Sequence, residues 1–334
     1  MRVFSVADFY RSGSNFPMRA QLAVLATVLI FSAVPSPADD GWERASLTLT
    51  EENDTALSDR NYTQGAKIQF LSSDHTNRNW FSGNMPSLGY DAPRWKWGFD
   101  LGHQIFTPED LSEHKLIRED RPYAGWLYGG LIFQQRGTNA RGTEVMETFR
   151  LRGGVVGPDS QADHAQVSWH RTFGFQNPNG WRNQLKNEPG GQLLYDRRYR
   201  YALGDAWAVQ FFPEAGVELG NIRIDGHAGG LLRAGYNIPN EFGLGGSTHD
   251  ADFGCHVFAG VTGYAVALDI FLDGNNFRHS HSVDRKELVG EGRVGIAFTT
   301  RHVEFTATHV RRTHEFEGQN QSTGYTSLSL TAKF

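Results

Sequence analysis

The chain has one cysteine, Cys255, in 334 residues, which excludes an internal disulfide framework and removes cysteine pairs as metal ligands. Long apolar runs are scarce as well. Beyond Ala38 no window reaches the roughly 18 apolar residues that a membrane-spanning helix needs, so the mature chain is either soluble or crosses a membrane as a closed barrel. An excess of positive charge is also missing: the formal net charge is −5, and nucleic acid is not an expected partner. No G-x-S-x-G occurs, which argues against an acyl-serine route of the hydrolase-fold kind.

What is present fits a barrel. There are 38 glycines, aromatics make up 13% of the residues, and mean hydropathy is negative. Half the spanning residues of a barrel face lipid and half face a wet lumen, so such a chain need not be apolar on average. The one long apolar stretch, residues 21–34, follows Met18 and Arg19 and precedes Ser36-Pro37-Ala38. This pattern is that of a signal peptide over 1–38, with 39–334 as the exported domain. A retained anchor is the alternative, and Met18 is an alternative start.

The recurrent pattern past the leader is alternation over about ten residues, broken by Gly, Asn, Asp and Pro. Leu47 and Leu49 alternate with Ser46, Thr48 and Thr50; Trp95, Trp97, Phe99 and Leu101 alternate with Lys96, Gly98 and Asp100. In the segment around Phe149, Arg150 and Arg152 fall on the face opposite Leu151 and would point into the lumen. Twelve strands are predicted: 43–53, 62–73, 93–106, 122–136, 143–157, 190–201, 206–220, 226–237, 254–272, 286–300, 301–315 and 323–334. The expected fold is all-β, a transmembrane antiparallel barrel; a soluble sandwich could hide the same apolar faces. The last strand ends on Phe334, like the C-terminal signal of outer-membrane proteins. With both termini periplasmic, 54–61, 107–121 and 158–189 lie on the cell surface. The stretch 74–92 fits poorly, because periplasmic turns are usually short.

Residues 160–176 break the alternation and carry Gln166 and His170 four apart, which places them on one face of a helix. Asp159 or Ser160 would be its N-cap. A histidine in such a place is catalytic or simply structural. Asn53 and Asp54 close the first strand and Thr63 opens the second. They read equally as hairpin-corner residues or as oxygen donors for a hard cation such as calcium.

Together these blocks resemble a family. Glu52-Asn53-Asp54, Asp59-Arg60-Asn61-Tyr62-Thr63-Gln64-Gly65, Asp120-Arg121-Pro122-Tyr123-Ala124-Gly125-Trp126, Gly157-Pro158-Asp159 with Gln166 and His170, and Gly180-Trp181-Arg182-Asn183-Gln184-Leu185 through Asn187-Glu188-Pro189-Gly190 look like those of the outer-membrane lipid A 3′-O-deacylases, in family order. The resemblance implies a twelve-stranded barrel with a site at the outer rim, between the wall and a short helix in an extracellular loop. It implies catalytic roles for Asn53, Asp54, Thr63, Gln166 and His170, and Ca²⁺ as cofactor with Asp54 and Thr63 as metal-binding residues. His170 would be the general base. Asn53 and the cation would stabilise the oxyanion, and Thr63 and Gln166 would position cation, water or histidine. The implied partner is lipid A of lipopolysaccharide in the Gram-negative outer membrane, with the chain acting as a monomer.

Arg60 and Arg121, in surface connections by this topology, could contact lipid phosphates; beside Asp59 and Asp120 they could equally be structural loop pairs. Trp80, Trp95, Trp97, Trp126, Trp181 and Trp207 read as interfacial girdle or core. Two rival functions stand: an outer-membrane phospholipase or other lipid esterase, and a non-catalytic porin. Against the porin stands the expectation of only scattered lumen charges.

Overall fold

The computed structural model describes residues 44–54, 61–77, 84–239 and 252–334, so the expected signal peptide, Arg60 and Trp80 lie outside the described residues. Twelve antiparallel strands follow one another around a closed barrel. They are β1 (Ser46–Asp54), β2 (Asn61–Leu71), β3 (Tyr90–Thr107), β4 (Ala124–Asn139), β5 (Glu144–Val156), β6 (Glu188–Gly204), β7 (Trp207–Gly220), β8 (Arg223–Tyr236), β9 (Gly254–Asp269), β10 (Leu288–Thr299), β11 (Val303–Arg312) and β12 (Gly324–Lys333). The ring closes where β1 pairs with β12, from Ser46 opposite Lys333 to Asp54 opposite Tyr325. Among the described residues no helix is long and apolar enough to cross a membrane. Closure pairs every strand edge, the condition for a β-structure to sit in lipid.

Alternation explains both faces. Trp97, Phe99, Leu101, Leu131, Leu151 and Leu193 are exposed on the outer wall, where lipid rather than water covers them. Inside, Arg152 meets Asp100 at 2.7 Å, Arg150 meets Asp196 at 2.8 Å and Arg312 meets Glu291 at 2.9 Å. The two inward arginines are as expected. The expectation of scattered lumen charges is wrong, however: ion pairs also join Arg223 to Asp225 and Asp269, and Arg293 to Glu214. Apart from Arg223 and Asp225, which share β8, the partners stand on different strands and meet only when the sheet forms.

The expected strand 254–272 stops at Asp269. Its last apolar residues form a one-turn helix, α2 (Ile270–Asp273 in chain order after the helix described below), capped by the Asp269 carboxylate accepting from Phe271 N–H at 3.0 Å. This turn enters the extracellular mouth, where Phe271 stacks on Phe106 with ring centres 4.0 Å apart beside Tyr62, Trp126 and Tyr325. Phe271 thus joins an apolar cluster in the mouth.

The described start of the connection after β2, residues 72–77, is pinned to the neighbouring strands. Asp74 pairs with Lys96 and Arg94, each at 3.7 Å, and with Arg136, while His75 bridges to Trp95 and covers its indole. The tryptophans divide by place: Trp97 and Trp207 are exposed on the wall, whereas Trp95, Trp126 and Trp181 are buried.

Candidate active site

The surface connection after β5 turns at Gly157, whose φ of 97° and contact with the Lys186 backbone leave no room for a side chain. A single 3₁₀ turn over Pro158–Ser160 leads into helix α1 (Ala162–Phe173). The helix begins one or two residues later than the expected caps. Gln161, in the left-handed conformation, holds the N-cap position, while the Ser160 hydroxyl donates to the Gly157 carbonyl at 2.6 Å. Gly174 ends the helix, its N–H bonding the His170 carbonyl.

Small residues let α1 lie against the outside of the wall. A side chain on Gly125 of β4 would meet Ala162 and Ser160 at 2.2 Å. Ala162 and Ala165 pack with Ile105, Leu111, Tyr123 and Trp181. On the side facing this packing, Gln166 and His170 are 0% and 1% exposed. The Gln166 carbonyl oxygen accepts from Trp181 Nε1–H at 2.8 Å, which fixes the amide and directs its NH₂ the other way; that Nε2 is buried with no hydrogen-bond partner. His170 Nδ1 is bonded to the Gln176 carbonyl. A carbonyl can only accept, so Nδ1 carries a proton, and in the neutral imidazole the lone pair is on Nε2.

The other part of the site is built on β1 to β3. Tyr62 faces inward against Phe106 and Tyr325, yet Gln64 bonds Glu51 on the outer, lipid-facing side. A register shift between Tyr62 and Gln64 against β3 accounts for the switch: Thr63 is the extra residue of a bulge. Its hydroxyl lies 2.6 Å from that of Thr107 on β3. Asn53 pairs in register with Gln64 on β2, and Asp54, the last residue of β1, is buried opposite Tyr325. β3 joins the two parts, with Thr107 touching Thr63 and Ile105 touching the α1 packing.

Arg121 is not where a phosphate could meet it. It is 1% exposed, paired with Glu315 at 3.0 Å and set over Phe106 and Phe316 in the barrel mouth. Burial alone would push the Glu315 carboxyl up, but Arg121 and Arg312 hold it down to about 2. The phosphate role expected of Arg121 is therefore replaced by a structural ion pair, with Glu315 rather than Asp120 as its side-chain partner. Sequence reading also missed Thr107, Gln176 and the orienting role of Trp181. Only Trp181 gave a signal, since it stands in one of the family blocks.

The oxygens of Asp54, Thr63 and Asn53 suit a hard cation. Among the described residues no group of three or more His, Cys, Asp or Glu side chains could hold a metal ion. A hard cation held here would draw on one carboxylate, Asp54, and otherwise on neutral oxygens.

The profile of outer membrane protein LpxR matches residues 23–334. The chain belongs to the LpxR family. It is the family that the motif blocks pointed to, and the match covers the second half, where the sequence shows mainly strands. LpxR from Salmonella typhimurium has the same fold, with a TM-score of 0.70 and 21% identity over 86% of this chain and 100% of that one. The β-domain of the Bordetella autotransporter Brka is similar at a TM-score of 0.45, with 12% identity over 89% of this chain and 100% of that one. The translocator domain of NalP from Neisseria meningitidis is similar at 0.42, with 7% identity over 95% and 94%. A search of curated proteins gave no match.

Proposed function

We propose that this outer-membrane barrel is a calcium-dependent ester hydrolase that removes the 3′-linked acyloxyacyl chain from lipid A in the outer leaflet. The observation that carries the reading is His170. Its Nε2 is set as a proton acceptor by the Gln176 carbonyl, on a helix buried against the outside of a lipid-facing wall at the extracellular end. A base in that place serves a substrate that arrives from the leaflet rather than through the lumen, since the helix lies against the outside of the wall.

In this reading His170 Nε2 takes a proton from a water molecule as its oxygen attacks the ester carbonyl. The Asn53 amide donates to the oxygen on which negative charge develops. Collapse breaks the bond to the 3′ oxygen of the sugar, which takes the proton back from the His170 imidazolium, so one water is consumed and one fatty acid and one hydroxyl are released. Gln166, held by Trp181, uses its amide NH₂ to orient the water or the carbonyl. Calcium, when bound by Asp54 and Thr63, would add positive charge beside the developing oxyanion.

Mass spectrometry of lipid A incubated with the detergent-refolded protein, with calcium and with chelator in parallel, tests this directly. Calcium-dependent loss of the 3′-acyloxyacyl group is expected, and Asp54→Ala should remove both the activity and its response to calcium. Unchanged lipid A from a well-folded barrel, with fatty acid released from phospholipid instead, would move the substrate to another lipid.

A further inference from the structure

On the lipid-facing side of β1 to β3 the outward residues stand in rows across the three strands. Leu47, Phe70 and Phe99 form one row, and Leu49, Ile68 and Leu101 form the next towards the cell surface. The third row is different, for it consists of Glu51, Ala66 and His103. It lies two residues, about 7 Å, below Asn53 on β1, on the membrane side of the candidate active site. On β3 it stands two residues below Ile105, which packs with α1.

Stability does not explain this row. Gln64 donates to the Glu51 carboxylate at 3.0 Å, and no Lys, Arg or His among the described residues pairs with it. An acidic side chain on the lipid face of a barrel opposes insertion. The His103 ring is half-buried beside the Ser160 carbonyl, and its Nε2 is buried with no hydrogen-bond partner. Such a nitrogen costs free energy unless something supplies the partner. Between Glu51 and His103 the exposed Ala66 contributes only a methyl group, and two strand spacings set their backbones roughly 10 Å apart.

An occupant of this gap has to offer a donor to one side and an acceptor to the other. A carboxylate accepts, whereas an imidazole nitrogen can donate. An amide presents N–H and C=O on opposite edges; an ester has acceptors alone and leaves Glu51 unmet. We propose that Glu51 and His103 form a subsite for the amide linkage of an N-acylated amino sugar, with the amide N–H on Glu51 and its carbonyl on His103 Nε2. They would then be specificity-determining residues that favour acylated glucosamine lipids over glycerophospholipids, whose chains are joined by esters. The inference rests on the esterase reading above in placing this amide beside the ester to be cleaved.

Two synthetic probes test it. One is glucosamine with a 2-N-acyl and a 3-O-acyl chain, the other glucose with 2-O-acyl and 3-O-acyl chains of the same length, and no chain carries a hydroxyl. Binding of each to the detergent-refolded full chain is measured by calorimetric titration in mixed micelles with chelator, and release of the 3-linked fatty acid is followed separately with calcium. The amide probe is expected to bind about tenfold more tightly than the diester, the worth of one buried hydrogen bond. Glu51→Leu and His103→Phe should each bring the two probes within about threefold by weakening the amide probe alone. Both substitutions suit a lipid-facing wall, and unchanged heat-dependent gel mobility would show that each variant is folded. No saturable binding of the amide probe, equal affinity of the parent for both probes, or variants that keep the preference would overturn the subsite, whether or not either probe is cleaved. An amide preference lost in both variants, with no fatty acid released by the parent, would uphold the subsite and overturn the esterase reading instead.

Discussion

The two helices sit at the same end of the barrel and are buried by opposite means. In α2, Ile270, Phe271 and Leu272 are at most 5% exposed and fill the mouth with apolar surface, so the energetic reason for their burial is the ordinary hydrophobic one. In α1 the most deeply buried residues include Gln166 and His170, and one amide nitrogen has no partner. Burying such groups opposes folding, and a Leu or Met in their places would pack more cheaply. The difference separates a plug, explained by stability, from a helix whose polar burial stability does not explain and the proposed chemistry would.

Four measurements break or sharpen that comparison. His170→Ala should lower deacylation on the order of a thousandfold while the barrel keeps its heat-dependent gel mobility; equal activity in mutant and parent would refute the assignment. Phe271→Ala should do the reverse, destabilising the fold by about 3 kcal/mol in denaturant titrations with turnover of the surviving folded protein within about threefold, taken as negligible on the scale of general-base loss. A collapse of turnover would place the plug in the site.

The ion pair beneath the plug gives a pH test. The Glu315 carboxyl is held at about 2 in the folded chain, below its unfolded value. Its contribution is therefore complete above the ordinary carboxylate range and is lost as pH falls through that range towards about 2. Glu315→Gln should flatten this acid limb and cost about 3 kcal/mol at neutral pH, because Arg121 is left buried without its counter-charge. An unchanged acid limb would show that other carboxylates govern it. The smallest expected effect is that of Trp181→Phe, which removes the N–H that fixes Gln166 but keeps the packing: kcat should drop about tenfold, roughly the worth of one buried hydrogen bond, with KM nearly unchanged. An equal rise in KM would mean that Trp181 acts through substrate binding.

Much of this was legible in the chain itself. The strands announced themselves by alternation because each passes between lipid and a charged lumen, and Gln166 and His170 could be placed on one face by spacing alone. The run Ile270–Leu272 misled because three apolar residues continue a strand as readily as they form a turn; the Asp269 cap and the aromatic mouth decided it. Arg121 looked like a surface residue because Glu315, its partner, lies 194 positions away. The bulge at Thr63 left no trace in the pattern, since an extra residue shows only against the register of β3.

Local periodicity and the family blocks by themselves determined the barrel, its number of strands and the surface end that carries α1. Only the tertiary structure decided which residues face lipid, lumen or each other: the proton of His170, the orientation of Gln166, the pairing of Arg121 and the aromatic cluster in the mouth all depend on contacts made by folding, and a sequence pattern carries periodicity along the chain but not contact across it.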